Sequence, residues 1–379
     1  MQMRAWNLLL AALPLSLNRG DPSHLRCLLQ EEVDWETVFA TADHHGVSSL
    51  LYQALAEADD LVPAHAQAAL REGFQRNIHR TLYLARELIR ILDCVESLGI
   101  EAFPYKGIVL SEIYYGDMAI RRSGDMDLLV RAEDVARIKS AVAALGYAAR
   151  LPIPAEAESA YLASGYECTF DSPAGKNLLE LQWALQPSYF AVDFDMRGVF
   201  ARAEQVRVAG RAMKTPSPED LLLILSLHAA KHVWGRLIWL CDIAQIARQE
   251  SLNWDRIRSQ TQALGIERIL GITLGLTNRF LGAAIPSPML LEPSEDRAAQ
   301  ALADQAAASI QAGVDYEDEK LSYFWRMMRL RERKRDQWRF AARLAFNPGP
   351  GEWEAIRLPK TLFPLYRIVR VARLAARLL

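Results

Sequence analysis

The run from Arg121 to Val130 constrains the fold of this chain most strongly. It begins as a polar turn that contains Gly124 and ends as an apolar segment, which predicts a β-strand. Because side chains alternate along a strand, Asp125 and Asp127 share one face of it. Two carboxylates at a strand start are costly to bury without a cation, and together they could hold a hard divalent metal such as Mg²⁺. The alternative is an ordinary polar start to a strand.

Three stretches of different texture follow one another along the chain. Residues 1–75 and 192–379 have helical periodicity, whereas residues 76–191 mix helix and strand patterns. We therefore predict an α+β fold in which a small mixed β-sheet core is flanked by N-terminal and C-terminal helical domains. Within the core, the pattern predicts helices over about Asn77–Leu98, Gly107–Tyr115 and Ala132–Leu145, and strands near Ile100–Pro104, Asp125–Val130, Tyr166–Phe170 and Asn177–Trp183.

Composition excludes several classes of protein. The chain has 379 residues, of which 51% are hydrophobic, and this is enough for two or three packed domains. A net charge of −2 argues against a general nucleic-acid binder. The apolar segment from Leu8 to Leu17 lacks a small-x-small cleavage site and is interpreted as a core helix. Four scattered cysteines without zinc-ligand spacing indicate a reducing compartment, so we expect a cytoplasmic protein.

The turn at Lys106 and Gly107 is a candidate phosphate site. It lies where a predicted strand gives way to a helix, so Gly107 would let a ligand approach the backbone and free N–H groups would favour an anion. Arg121 could add a guanidinium, whose fork geometry suits phosphate. Ser123 lies in the same polar turn and is also predicted to contact nucleotide. The alternatives are an ordinary strand-to-helix turn and solvated surface charges.

A third carboxylate comes from the segment Asn177–Trp183. Alternation places Glu180 and Gln182 on one face of the predicted strand and its apolar residues on the other. Glu180 could complete a metal site or act as a general base. The alternative is a solvent-facing glutamate on a half-buried strand. Glu167 and Asp171 are weaker candidates for the same role.

The segment His228–Asp242 reads as part of one long helix. Helical spacing places its polar and aromatic residues along one side: His228, Lys231, His232, Trp239 and Asp242. His228 and His232 have the spacing of a zinc helix, but Ala229 stands where a metalloprotease would carry Glu, which excludes that class. We predict that this side lines a cleft in which His228, Lys231 and His232 contact the nucleotide, with packing at a helix interface as the alternative.

Taken in order, these segments resemble a known family. Lys106-Gly107, Tyr114, Arg121, Gly124–Val130, Leu179–Trp183 and His228–Asp242 are similar to the uncharacterised nucleotidyltransferase family of the polymerase-β-like superfamily, over about residues 35–280. The resemblance implies that Asp125 and Asp127 hold two Mg²⁺ (or Mn²⁺) ions, that Glu180 is the third carboxylate, and that ATP or another NTP is the donor. Polymerase-β-like enzymes usually carry a Gly-Ser pair before the Asp motif, whereas here no Ser adjoins Gly107.

We therefore predict a Mg²⁺-dependent transfer of a nucleoside monophosphate, AMP from ATP, to a hydroxyl or amine with release of pyrophosphate. The acceptor is left open among small molecules, peptides and proteins. One alternative is a protein of the same fold that binds nucleotide without transferring it. Another is a membrane-surface adaptor, because a basic amphipathic pattern in residues 362–379 carries Arg367, Arg370, Arg373 and Arg377. A terminal helix packed on the domain with its arginines outward would explain the same pattern.

Overall fold

The computed structural model describes residues 2–17, 20–172, 175–290, 296–314 and 321–376. The chain begins with five α-helices: α1 Gln2–Ser16, α2 Pro22–Leu29, α3 Trp35–His44, α4 Ser48–Leu55 and α5 Ala64–Ser97. Gly46 makes the predicted turn between α3 and α4 with a φ of 70°. The long helix α5 ends before Gly99, as predicted, but it begins near residue 64 rather than near residue 77.

A five-stranded mixed sheet forms the centre of the described chain. Its strands are β1 Ala102–Pro104, β2 Met126–Val130, β3 Ala148–Ala149, β4 Glu167–Ser172 and β5 Gly175–Gln182. The spatial order is β1-β2-β5-β4-β3, in which β2 and β5 run parallel and the other neighbours antiparallel. The predicted α+β class with flanking helices is confirmed. Of the turn predicted between β4 and β5, residues 173–174 lie outside the described residues.

The two faces of the sheet have different partners. On one face, apolar side chains such as Leu128 and Leu181 pack in a core with residues of α5 and of α7 (Val135–Ala144). On the other face, Asp127 of β2 is paired in register with Glu180 of β5. Gln182 is paired in the same way with Glu167 of β4. Paired residues on neighbouring strands point to the same face, so these four polar side chains come together.

The expectation that the chain is helical from residue 192 onward is wrong for one segment. After the short helices α6 Ile108–Leu110, α8 Glu158–Ser164 and α9 Met196–Ala201, a hairpin forms from β6 Glu204–Val208 and β7 Arg211–Thr215. Its two-residue turn places Ala209 and Gly210 at φ values of 49° and 76°, as a tight hairpin requires. Thr215 Oγ1 donates to Pro104 O at 3.0 Å, which ties the hairpin to β1.

The single helix predicted through His228–Asp242 is two helices. The C-terminal helices are α10 Pro218–Lys231, α11 Leu237–Ala247, α12 Trp254–Leu264, α13 Glu267–Leu281, α14 Arg297–Ala312, α15 Leu321–Arg329, α16 Lys334–Phe346, α17 Pro350–Ala355 and α18 Tyr366–Ala376. Between α10 and α11, Val233 and Trp234 adopt left-handed φ values of 52° and 53°. Trp234 Nε1 donates to Thr273 Oγ1 at 2.8 Å, which fixes this corner against α13.

The proposed boundary between residues 75 and 76 falls inside α5, which belongs to two hydrophobic cores. Its first turns join a core shared with α1–α4 and α10–α13. Its later turns join the core beneath the sheet. The division of the chain into three domains stays a prediction. No helix among the described residues combines the length and apolarity needed to cross a bilayer.

Candidate active site

A cavity of about 720 Å³ opens over the polar face of the sheet. All ten residues predicted from the sequence to form the site line it: Lys106, Gly107, Arg121, Ser123, Asp125, Asp127, Glu180, His228, Lys231 and His232. They come from the turn after β1, the loop that leads into β2, the strands β2 and β5, and the end of α10. Asp125, which was predicted to open the strand, lies one residue before it. The prediction from the sequence therefore grouped residues that lie more than 120 positions apart in the chain.

The side-chain amide of Gln182 contacts three of the carboxylates, a role that the sequence did not reveal. Its Nε2 lies 3.0 Å from Glu180 Oε2, 3.2 Å from Glu167 Oε2 and 3.4 Å from Asp127 Oδ1. Its Oε1 accepts a hydrogen bond from the hydroxyl of Tyr105, which is buried. This second bond fixes the amide with its N–H groups toward the acids. The alternation of β5 predicted the position of Gln182, and only the fold shows its contacts.

Burial and mutual repulsion disfavour the charged forms of these acids. Burial, followed by the charge of Asp127, raises the pKa of Asp125 to about 6. Burial and then the charges of Asp127 and Glu167 raise the pKa of Glu180 to about 8. A nearby cation would stabilise the ionised forms of carboxylates that repel one another in this way.

Lys106 supplies a cation to this cluster. Its Nζ lies 2.8 Å from Asp127 Oδ1, and both side chains are more than nine-tenths buried. Burial opposes the charged ammonium, but the charges of Asp127, Tyr105 and Glu180 raise the pKa of Lys106 well above its ordinary value. Lys106 is therefore a fixed positive charge beside the Asp motif.

The turn after Lys106 brings a glycine and a serine together. Gly107 has a φ of 59°, and a Cβ built on it would lie 3.2 Å from Ser123 Oγ. This hydroxyl is buried and has no hydrogen-bond partner in the described part of the chain. Arg80 of α5 supports the same turn, because its Nε and Nη2 donate to Ser123 O and Gly124 O at 3.1 and 2.5 Å. Gly107 and the Ser123 hydroxyl are therefore neighbours in space although they are 16 positions apart in the sequence.

Arg121, which was predicted to contact phosphate, forms a buried ion pair within the protein. Its Nε donates to Asp242 of α11 at 2.8 and 3.0 Å, and both residues are buried. Burial opposes the charged guanidinium, but Asp242 raises the pKa of Arg121 above its ordinary value. Tyr115 also donates to Asp242, at 2.8 Å. Arg121 lines the cavity, but its Nε is held by this ion pair.

The break between α10 and α11 still delivers the predicted polar cluster. The rings of His228 and His232 lie 4.8 Å apart, and that of Trp239 lies 5.3 and 5.4 Å from them. Burial, with the nearby lysines, lowers the pKa of His228 well below its ordinary value and that of His232 to about 3. Both imidazoles are therefore neutral at pH 7. Of the residues predicted to line a cleft, His228, Lys231, His232 and Trp239 line the cavity, whereas Asp242 is buried in the ion pair with Arg121.

The donor set suits a hard metal in chemical type. Asp125, Asp127 and Glu180 are oxygen ligands, and their repulsion in a buried site would be relieved by a divalent cation. As they stand, however, no three His, Cys, Asp or Glu side chains within the described ranges converge closely enough to hold one. Lys106 contacts Asp127 Oδ1, one of the oxygens that this set would offer to such an ion. A metal would therefore require these side chains to shift.

Comparison with known protein families assigns the chain. Residues 31–282 match the family described as uncharacterised nucleotidyltransferase, which is about two-thirds of the chain. The chain belongs to this family. Comparisons with curated proteins and with solved structures found no match. The matched residues include the Asp motif, Glu180, His228 and His232, and membership of this family supports a transferase activity.

One wall of the cavity lies outside the part of the chain matched to the nucleotidyltransferase family. It is formed by α15, the loop before α17, α17 itself and α18. Sequence reasoning missed this wall and left Arg370 and Arg373 either on a membrane-facing surface or facing outward from a packed terminal helix. Both instead contact Glu352 and line the cavity, whereas Arg367 is exposed. Arg377 lies outside the described residues, and membrane contact through the tail stays a prediction.

Proposed function

We propose that this protein transfers a nucleoside monophosphate, AMP from ATP, to a hydroxyl or amine of an acceptor and releases pyrophosphate. The observation that carries the proposal is the meeting of Asp125, Asp127 and Glu180 with the Lys106–Gly107 turn in one cavity of a nucleotidyltransferase-family chain. The four cysteines in the described residues are free thiols, in keeping with a cytoplasmic reaction.

Asp125, Asp127 and Glu180 would hold Mg²⁺ or Mn²⁺. When bound, such a metal supplies charge neutralisation at the transferred phosphate and at the leaving oxygen. The fit rests on the chemistry of the donors, which are oxygen ligands: Asp127 is buried, and Asp125 and Glu180 are half-buried with raised pKa values. The site's own cation, Lys106, would supply a further positive charge to the phosphates of the donor.

The remaining groups would bind and orient the substrates. The Ser123 hydroxyl and the backbone beside Gly107 would contact donor phosphates, in the manner of a Gly-Ser pair. Glu180 would complete the metal site or take the acceptor proton as the acceptor oxygen or nitrogen attacks the α-phosphorus and the bond to pyrophosphate breaks. The raised pKa of Glu180, about 8, makes its ionised form a stronger base than an ordinary glutamate, which suits that form to accept the proton. The neutral rings of His228, His232 and Trp239 would close the cleft.

A second function, nucleotide binding without transfer, is favoured by one specific contact. Lys106 lies on Asp127 Oδ1, and a carboxylate held in this way is a poorer metal ligand. A protein fixed in this arrangement would bind the phosphates of a nucleotide and release no pyrophosphate. Calorimetry that detects nucleotide binding, together with an acceptor screen that detects no pyrophosphate, would favour this second function.

The test is incubation with labelled NTPs and Mg²⁺ or Mn²⁺ against a lysate and a small-molecule pool, with mass spectrometry for nucleotide adducts. Asp125→Asn and Asp127→Asn should each reduce adduct and pyrophosphate formation by about 100-fold or more, while the far-ultraviolet dichroism is unchanged. Asp59→Asn, at an exposed position of the N-terminal region, is the matched control and should retain full activity. Full activity in both active-site variants would refute the mechanism.

A further inference from the structure

The order of the strands shows which residues lie at opposite sides of the cavity. The Lys106 turn follows β1 at one side, and the acids of β2 and β5 come next. Glu167 of β4 lies beyond them, with neighbouring strands about 4.8 Å apart. Past β4, the Tyr161 hydroxyl donates to Glu167 O at 2.9 Å, and its ring lies 6.0 Å from Trp353 of α17. The C-terminal wall is therefore across the carboxylates from the Lys106 turn.

Arg373 is held in place on that wall. Its Nη1 donates at 2.8 Å to Glu352, whose side chain is fully buried, and its own side chain is 31% exposed. Glu352 also accepts from Arg370 Nη1 at 3.2 and 3.3 Å and from the Gly349 N–H at 2.7 Å. A carboxylate with this many donors orients a guanidinium in advance, and Arg373 keeps further N–H groups that this bond does not use.

Gly351 is required for this placement. A Cβ built on it would lie 2.6 Å from Arg373 Nη1, which is closer than real Cβ atoms approach, and 3.1 Å from Nη2, which is a tight contact. The guanidinium therefore packs directly on the backbone of α17. Any larger residue at position 351 would displace it without changing the charge of the wall.

Cationic side chains line the cavity on this side. Arg370 and Arg373 lie on the wall itself, and Lys231 at the end of α10 lies beside it, 3.4 Å from the Tyr166 hydroxyl. The acids nearby are Glu352, which both arginines contact, the exposed Glu354 and Glu167 of β4. These acids match the cations in number, so the placement of the N–H groups, and not a net charge, favours an anion. Arg370 also donates to Leu344 O at 3.0 Å, so Arg373 is the cation best placed to meet a ligand.

We propose that Arg373, supported by Lys231, binds an anionic group of the acceptor, a phosphate or a carboxylate. The inference rests on the proposed function, because it assigns the side of the carboxylates opposite the donor phosphates to the acceptor. In-line transfer requires the attacking and leaving groups to lie on opposite sides of the phosphorus, which the order of the strands provides. The acceptor class is then a negatively charged molecule that also carries a hydroxyl or amine.

The binding test uses probes that share a three-carbon skeleton and differ in the anionic group they carry. With Mg²⁺ and an α,β-methylene NTP analogue filling the donor side, calorimetry would compare glycerol 3-phosphate, glycerate and glycerol. The wild type should bind at least one anionic probe and not glycerol, and the stronger of the two distinguishes phosphate from carboxylate. Arg373→Gln and Gly351→Ala should each weaken that binding about tenfold or more. Arg367→Gln, an exposed arginine of the same helix, should not. No anionic binding, or binding indifferent to residues 373 and 351, refutes the proposal.

A transfer test separates this subsite from the reaction itself. An extract of small molecules would be divided on an anion-exchange column and each fraction supplied as acceptor with labelled NTP. Label should enter the retained fraction, and Arg373→Gln should raise the KM for that acceptor while the KM for NTP is unchanged. Label only in the unretained fraction would contradict the acceptor class. Label in no fraction would instead count against the proposed function, while the binding test still decides the subsite.

Discussion

At the residue scale, the site depends on a neutral side chain as much as on its charged ones. Gln182 has two N–H hydrogens, and three carboxylates surround its nitrogen. The amide cannot satisfy all of them, so the cluster retains repulsion that appears in the raised pKa values of Asp125 and Glu180. Tyr105 determines which way the amide faces. Neither residue carries chemistry that a motif search would seek.

We predict that Tyr105→Phe and Gln182→Met each lower the free energy of unfolding by about 1–3 kcal/mol. Tyr105→Phe leaves the buried Gln182 Oε1 without its donor, and Gln182→Met leaves the Tyr105 hydroxyl without its acceptor. Because the two groups satisfy each other, the double variant should cost less than the sum of the single variants. Urea unfolding of all four proteins measures this, and strictly additive effects would show that the amide is oriented by something else.

At the scale of elements, the sequence predicted what periodicity encodes. The strands β2, β4 and β5 lie within a few residues of their predicted ranges because apolar alternation and Gly-bearing turns mark them. The hairpin β6–β7 was missed because its strands are short and polar on one face, and because Ala209-Gly210 is a weaker turn signal than Asn-Gly. The corner at Val233 has no local signal at all, since a β-branched residue rarely adopts a left-handed φ.

The residues of the candidate site also fall into two groups, those that the sequence could identify and those that only the fold reveals. Asp125, Asp127 and Glu180 could be identified because alternation gives the face of each side chain and acids are chemically conspicuous. Their neighbours in space could not, because Arg370 and Arg373 reach the cavity only through the packing of α18 on α16 and α17. Two arginines three positions apart on a helix could face solvent, a membrane or a buried carboxylate. The fold shows that these two contact a buried carboxylate.

The packing of α1, α3 and α11 should make stability depend on pH through His45. This residue is fully buried, contacts Trp6 with ring centroids 5.5 Å apart, and has no hydrogen-bond partner for its ring nitrogens in the described residues. Burial, with the charges of His44 and Arg236, lowers its pKa from 6.5 to about 3. Below pH 6.5, His45 is therefore protonated in the unfolded chain, whereas in the folded chain it stays neutral until the pH approaches 3.

The stability contributed by neutral His45 should be full above pH 6.5 and be lost progressively as the pH falls toward 3. Between pH 7.5 and pH 5, the free energy of unfolding should fall by about 2 kcal/mol through this residue. His45→Leu should flatten that decrease, whereas His24→Gln, at an exposed position, should leave it unchanged. Urea midpoints at the two pH values measure the effect, and a decrease of equal size in His45→Leu would contradict it.

At the scale of the whole molecule, one buried ion pair joins the sheet core to the helical part that closes the cavity. Arg121 belongs to the loop that leads into β2, and Asp242 belongs to α11. The same carboxylate accepts from Tyr115, in the helical turn after α6. The Asp motif and the wall formed by α10 and α11 are therefore positioned relative to each other through a contact between residues 121 positions apart.

Breaking this pair from either side should therefore destabilise the protein more than removing it completely. Asp242→Leu leaves a buried guanidinium without its partner, and Arg121→Met leaves a buried carboxylate, so each should lower the free energy of unfolding by about 3–5 kcal/mol. In the double variant no charge is stranded, and two apolar side chains fill the space, so its loss should be smaller than that of either single variant. Chemical unfolding of the four proteins tests this order. If the double variant is the least stable, the pair contributes attraction beyond its desolvation cost. If instead it recovers stability while nucleotide transfer stays lost, the pair serves to align the two halves of the cavity, because a stable fold would then exist without a working site.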